Sequence, residues 1–480
     1  MSRMQEMIEQ DNILHAVDTM HSFDQAVEVL KESIRASMAQ PVKTDHHARP
    51  TLKTFSVKLD TIDSLEWLYL QDLYPRIYWM NREKNFTIAG IGQADILQLD
   101  STGPNDRSFS LLQQSMDKKD PLARYFGGFC FNNEQQQEPF WSDFKSYVFV
   151  LPLIEIETGE SGTTLTCRLL PQSHDDVRAA ANFLIEALST IRTVRKNALP
   201  RLPEVLNVSY SPDQQQWLKA CGRVLDTIRT SSMEKVMLAR QTHLEFSGKF
   251  SPLLFLLKYP YGENSTYRFY FEPRENHAFF SFSPERLYRR DHDMLMTEAL
   301  AGTVTKETIK GDDNDASALL LNSEKDIREH RFVIDSIKSE LQPICSRIDM
   351  EQEVKVLHLN RLAHLYTRCS ARLKPECSND SMVLSQLHPT PAVGGVPTGE
   401  SMKQIMSVEP FSRGWYAGPV GWLSHDAAEF AVGIRSALVS GDQVYLYSGA
   451  GLVDGSNPSS EWDEVDQKIG DILAITQQTI

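Results

Sequence analysis

Two side chains in this 480-residue chain sit in apolar surroundings that would change their behaviour. Lys235 neighbours Glu234, as an ordinary surface lysine would, yet it heads the apolar run VMLA. Glu285, in SPERL, would by itself pair with Arg286, but the apolar FFSFSP before it makes for a poorly solvated carboxyl. Removal from water favours the neutral forms of both groups, and a neutral amine and a protonated carboxyl are the forms that exchange protons near neutral pH. A second set is acidic. Glu461 and Glu464 share one face of a helix that Asn457 and Pro458 should start, and Glu329 lies four residues after Lys325. Taken singly, each is an ordinary solvated acid. Gly449, Ala450 and Gly451 read as a small-residue turn whose backbone N–H groups can approach a carboxylate, as can those of Gly302 and Thr303. By themselves His364, between leucines in RLAHLYT, reads as a core histidine, Tyr416 in GWYAGPVGW as a core aromatic, and Arg435 in GIRSAL as a strand-edge ion-pair partner.

Helices and strands must bring these residues together. Residues 1–50 read as a helix-rich start ending in the polar QPVKTDHHARP, after which TFSVKL, FTIAGIG and YVFVLPLIEIE alternate like strands, with Pro152 arguing for an edge or a bulge in the last. Val177, Leu184, Leu188 and Ile191 recur at helical spacing between 175 and 196. After the break ALPRLP, Ser211, Pro212 and Gln214 signal another helix start. The main boundary is expected near residue 200, dividing an N-terminal part of mixed α/β character, 1–204, from a C-terminal domain, 205–480. In the latter, KVMLARQTHLEF, YRFYFEP, HAFFSFSP and QVYLYSGAGLV read as strands, and about 315–341, 401–407 and 459–476 as helices. Paired strands with irregularly placed helices predict α+β, a large antiparallel β-sheet core flanked by helices.

Composition narrows the function classes. Hydrophobic residues make up 41% and charged residues 24%, a globular balance, and the net charge of −15 would repel nucleic acid because no Lys/Arg run offsets it. A small anion remains possible where a metal ion or arginines reverse the field inside a cleft. Six scattered cysteines include no CxxC pair and no zinc-ligand spacing, so reduced structural thiols are expected. The first residues lack a secretory apolar core, and the strongest apolar run, PLLFLL, is too short to span a bilayer, so no membrane association and a cytoplasmic location are expected.

Seven ordered segments go beyond packing requirements: EKVMLAR, SPERL, TEALAGT, SEKDIREH, LHPTPAVGG, GIRSAL and SGAGLVDGSNPSSEWDE. Together they resemble the chorismate-binding catalytic domain shared by isochorismate, salicylate, anthranilate and aminodeoxychorismate synthases, over roughly residues 205–476. FGGFCF at 126–131, followed by FWSDF and FVLP, is similar to the long isochorismate synthases of menaquinone synthesis.

The resemblance implies the following site. Lys235 would be the base that activates water, which requires an uncharged amine favoured by burial or a neighbouring cation. Glu285 would be the acid that protonates the departing C4 hydroxyl, and desolvation or nearby carboxylates would keep it protonated. Glu329 and Glu464 would bind Mg2+ directly, with Glu461 acting directly or through water, since hard oxygens suit that ion. Arg435 and Tyr416 would hold the enolpyruvyl carboxylate, His364 would lie against the ring, and Gly302, Thr303, Gly449, Ala450 and Gly451 would complete the substrate site.

Within the family, anthranilate synthases carry glutamine at the position of Lys235, and aminodeoxychorismate synthases carry a nucleophilic lysine at that of Ala301, so this chain resembles a water user. The expected activity is isochorismate synthase, an isomerase, with chorismate as substrate. Salicylate synthase, which goes on to eliminate pyruvate, is the alternative, ahead of anthranilate synthase component I and of a non-catalytic binding descendant. No LLES-like tryptophan-binding segment is present, so no glutamine amidotransferase subunit is expected, and the protein would act as a monomer or homodimer.

Overall fold

Lys235–Phe246, rich in β-branched and long apolar residues, forms a twelve-residue central strand. It pairs antiparallel with Val205–Ser211 on one side and Gln443–Val453 on the other. The computed structural model describes residues 13–15, 21–39, 51–171, 176–193, 198–259, 266–305, 313–358 and 362–477; within these, the side chains of Thr303 and Lys325 are among those left undescribed. The described chain forms two compact units, one of residues 1–96, 150–200 and 270–275, the other of 97–149, 201–269 and 276–480.

Among the described residues of the second unit, the strand pairings with a fixed register are antiparallel. From Gln443–Val453 the ladder continues through Ser436–Ser440 to His277–Ser281. A second run joins Leu362–Leu373, Met294–Thr305, Arg286–Asp291, Ala427–Val432, Pro419–Leu423 and Tyr125–Phe129. This last pairing carries residues 97–149, expected in the N-terminal part, into the larger unit. Glycines let the FGGF strand pack closely: a Cβ on Gly127 would lie 1.8 Å from the Val148 carbonyl oxygen, and one on Gly128 2.9 Å from the Trp415 ring. The helices Glu324–Leu341 and Pro458–Gln477 flank the sheets, so the unit has the expected α+β architecture.

In the first unit, Lys53–Leu59 lies between Ile13–His15, parallel, and Gly162–Leu169, antiparallel. Helices Phe23–Ala39 and Val177–Thr190 pack together beside it. The strand Tyr147–Gly159 runs through Pro152, whose ring lies where a side chain on residue 90 would stand, so Gly90 is required there. Buried ion pairs Arg76–Glu272 and Arg168–Glu155, both 2.6 Å, satisfy charges that burial alone would penalise.

Several boundaries differ from the sequence reading. The helix signalled at Ser211 begins at Gln214, because Asp213 caps it and forms the reciprocal capping box with Gln216, while Ser211 ends a strand. The expected helix over 315–341 is two helices, Asp313–Asn322 and Glu324–Leu341, divided at Ser323, whose hydroxyl caps the second by accepting from the Asp326 N–H. Gly449, Ala450 and Gly451 form no turn. They pair in register with Ala239, Leu238 and Met237 inside a continuous strand. Polar QPVKTDHHARP and most of the N-terminal segment lie outside the described residues. Among the described residues all six cysteines are buried free thiols, and no helix is long and apolar enough to cross a membrane.

Candidate active site

Lys235 opens the central strand, and its backbone pairs with both Val453 and Val396. Its carbonyl also accepts from the Ser401 hydroxyl at 2.9 Å. These ties aim a side chain with only 7% exposure into a cavity of about 170 Å3. Gly451, opposite Met237 on the neighbouring strand, leaves room for the lysine: a Cβ there would stand 3.1 Å from Lys235 Cε. Lys235 Nζ donates to Glu329 Oε1 at 2.7 Å. Of the expected alternatives, burial or a neighbouring cation, the structure supplies burial, while the ion-pair partner is a carboxylate because the helix Glu324–Leu341 brings Glu329 against the strand end. A larger cavity of about 690 Å3, lined in part by Arg328 and Phe332, also has Lys235 and Glu329 in its wall.

Glu285 occupies the irregular segment between Ser281 and Arg286 and lines the same cavity. Its N–H donates to Ser283 Oγ at 3.2 Å and its carbonyl accepts from the Val432 N–H at 3.1 Å, which fixes the backbone. Burial pushes its carboxyl up to about 7; the hydroxyl of Thr390, donating to Oε1 at 3.1 Å, opposes that rise, Glu298 adds to it, and Lys235 opposes it again. Arg286, its sequence neighbour, turns away to Glu298 and Glu429.

Gly302 sits at a β-bulge with φ of +73°, where the register of Met294–Thr305 against Leu362–Leu373 shifts. The bulge turns its carbonyl to His364 Nδ1, 3.2 Å away, while Arg435 Nη2 lies 3.1 Å from His364 Nε2. Those partners specify a neutral imidazole that donates from Nδ1 and accepts at Nε2, and burial together with Arg435 pushes its pKa down to about 3. Arg435 itself holds a left-handed φ of +51°. Tyr416 is buried, stacks on Tyr447 with ring centroids 5.3 Å apart, and approaches Gly449, where a Cβ would stand 3.0 Å from the Tyr416 hydroxyl. Burial raises its phenol well above the usual range.

Glu461 and Glu464 lie one turn apart on the helix Pro458–Gln477, started as expected by Asn457, whose side chain accepts from Ser459 and Ser460. Lys468, one further turn on, pairs with Glu464 at 2.7 Å and donates to the Gly449 carbonyl at 3.0 Å. Glu329, Glu461 and Glu464 face the one cavity, an all-carboxylate donor set suited to a hard divalent cation. As placed, however, no three His, Cys, Asp or Glu side chains among the described residues converge on a single metal position. Glu329 and Glu464 each meet a lysine instead.

The cavity wall thus brings together Lys235, Glu285, Gly302, Glu329, His364, Tyr416, Arg435, Gly449, Gly451, Glu461 and Glu464. Ala450 does not line it, because alternation along a strand turns its side chain away from the face that Gly449 and Gly451 present. The side chain of Thr303 lies outside the described residues. Sequence reasoning missed Lys468, Asp326 and Thr390. The first two carried a signal, since each is three or four residues from an expected metal ligand on the same helix. Thr390 carried none beyond its motif.

Known proteins resemble this chain over most of its length. Isochorismate synthase MenF of Escherichia coli is 31% identical over 460 residues, covering 94% of this chain and 99% of that protein. The solved structure of that menaquinone-specific enzyme superposes with a TM-score of 0.81 over 94% of this chain and all of the other. The salicylate biosynthesis isochorismate synthase of Pseudomonas aeruginosa is 29% identical over 93% of this chain and 94% of its own. The family model described as chorismate binding enzyme matches residues 36–477, so the chain belongs to the family of chorismate-binding enzymes.

Proposed function

We propose that the protein is an isochorismate synthase, an isomerase that adds water to C2 of chorismate as the C4 hydroxyl departs. The observation that carries this reading is one cavity faced by a buried lysine and by a buried carboxyl, which burial pushes above the ordinary carboxyl range. Lys235 takes a proton from the attacking water, and Glu285 delivers one to the leaving hydroxyl, so atoms and charge balance over the reaction. Arg435, planar and bidentate, suits the enolpyruvyl carboxylate, with Tyr416 beside it, and the neutral His364 supports the arginine. A bound Mg2+ would be held by Glu329, Glu464 and Glu461 and would supply positive charge to the ring carboxylate. Lys235 must part from Glu329 to act as a base.

The near full-length likeness to the E. coli enzyme supports product release as isochorismate, use in menaquinone synthesis and action without an amidotransferase subunit. A cytoplasmic location is part of this reading. Incubation with chorismate and magnesium, followed by chromatography, should yield isochorismate. Salicylate with pyruvate would reassign the protein as a salicylate synthase, and anthranilate formed only with ammonium would overturn the role of Lys235. Lys235→Ala should abolish turnover while chorismate affinity, measured by calorimetry, changes little; retained turnover would mean that another group activates the water.

A further inference from the structure

We infer that Thr390 is a positioning residue for the acid: by donating its hydroxyl to Glu285 Oε1, it places the transferable proton on Oε2. This rests on the reading of Glu285 as the acid. A carboxylate has two equivalent oxygens, and when it takes a proton the one that receives a fixed external donor remains the acceptor oxygen of the pair. The proton then belongs to the other. Thr390 can be such a donor because its loop is pinned at several points. Its carbonyl accepts from the N–H groups of Val393 and Gly394, 3.1 and 2.9 Å away, closing a tight turn. Arg413 Nη1 donates to the Val393 carbonyl at 2.8 Å, and His388, buried at the loop's start, is 2.9 Å from the Phe131 carbonyl.

The same loop registers the opposite side of the cavity. The Met237 N–H donates to the Gly394 carbonyl at 3.0 Å, and Gly395 and Val396 pair with Val236 and Lys235. A single turn therefore sets the acid's oxygen and ties down the strand that carries the base. The charged groups around Glu285 are Lys235 from the central strand, Glu298 from Met294–Thr305, Glu429 from Ala427–Val432, and Arg286 beside it, which pairs with both glutamates. Thr390 is the neutral donor among them, so its removal changes the hydrogen bonding of Glu285 without altering net charge.

The test compares Thr390→Val and Thr390→Ser with the unmodified protein. The ionisation of Glu285 is followed by infrared difference spectroscopy, its carboxyl band being assigned by its loss in Glu285→Gln. Because the hydroxyl stabilises the carboxylate, Thr390→Val should raise the midpoint by about one pH unit, tenfold in the ionisation constant, the scale of a hydrogen bond to a charged group. Its kcat should fall about tenfold, while Thr390→Ser keeps both values near those of the parent. Thr390→Ala removes the same donor without the valine methyl and must move the midpoint the same way, which covers a valine variant that fails to fold. An unmoved midpoint in the valine and alanine variants, or a serine variant displaced as far as valine, would overturn the inference. Retained turnover in Glu285→Gln would instead overturn the acid's assignment, and with it the role given to Thr390, whatever the midpoints do.

Discussion

At the scale of single residues, Glu285 offers the most direct pH prediction. Burial pushes its carboxyl up to about 7 in the free protein, and a general acid acts only when protonated, so kcat/KM should fall as pH rises through that value. The linkage has the same sign: the folded pKa lies above the ordinary carboxyl value, so the group's contribution to stability is present at low pH and is lost as pH rises through about 7. Glu285→Gln keeps the shape but has no proton to give. Its turnover should drop about a hundredfold or more, and the alkaline fall attributable to this group should vanish from initial rates measured between about pH 6 and pH 9. The motifs EKVMLAR and SPERL, together with apolar neighbours, marked Lys235 and Glu285 in the sequence, and both are buried. Their partners, Glu329 and Thr390, are 94 and 105 positions away and became visible only in three dimensions.

At the scale of elements, the strands carry the site, and glycines decide how closely they pack. Gly127→Ala would drive a methyl into the Val148 carbonyl, a backbone atom that cannot rotate aside. A cost of about 3 kcal/mol or more is expected, read as a thermal midpoint lower by several degrees or as loss of soluble protein. Gly222→Ala, within the helix Gln214–Thr230 and with open space around it, should be neutral or stabilising by up to about 1 kcal/mol. Equal midpoints for the two variants would contradict this packing argument. Strand extents were well predicted: KVMLARQTHLEF and QVYLYSGAGLV coincide with Lys235–Phe246 and Gln443–Val453, because long apolar β-rich runs leave no competing structure. Cap positions were less legible, since Ser211, Asp213 and Ser323 all have capping chemistry and only tertiary context selects among them.

At the scale of the whole molecule, a net charge of −15 opposes any anionic substrate, so recognition depends on charge placed inside the cavity. Lys235, Arg435 and Lys468 supply part of it. With three glutamates on the same wall, added magnesium should bind the folded state and raise the thermal midpoint, by roughly 2.7 kcal/mol of stability at a hundredfold excess over Kd. The rise should disappear in Glu464→Ala, and chelation by EDTA should stop turnover until magnesium is restored. An equal rise in that variant would place the ion elsewhere.

The sequence by itself determined the α+β class, the long antiparallel strands and the family, because side-chain periodicity and ordered motifs are local properties of the chain. It also determined which residue types are available for acid–base and carboxylate chemistry. Only the tertiary structure decided that residues 97–149 join the larger unit, that Ala450 faces away while Gly449 and Gly451 face the cavity, and that Lys235 meets Glu329. Those outcomes depend on strand register and on the approach of distant helices, and a one-residue change of register reverses which side chains face the site.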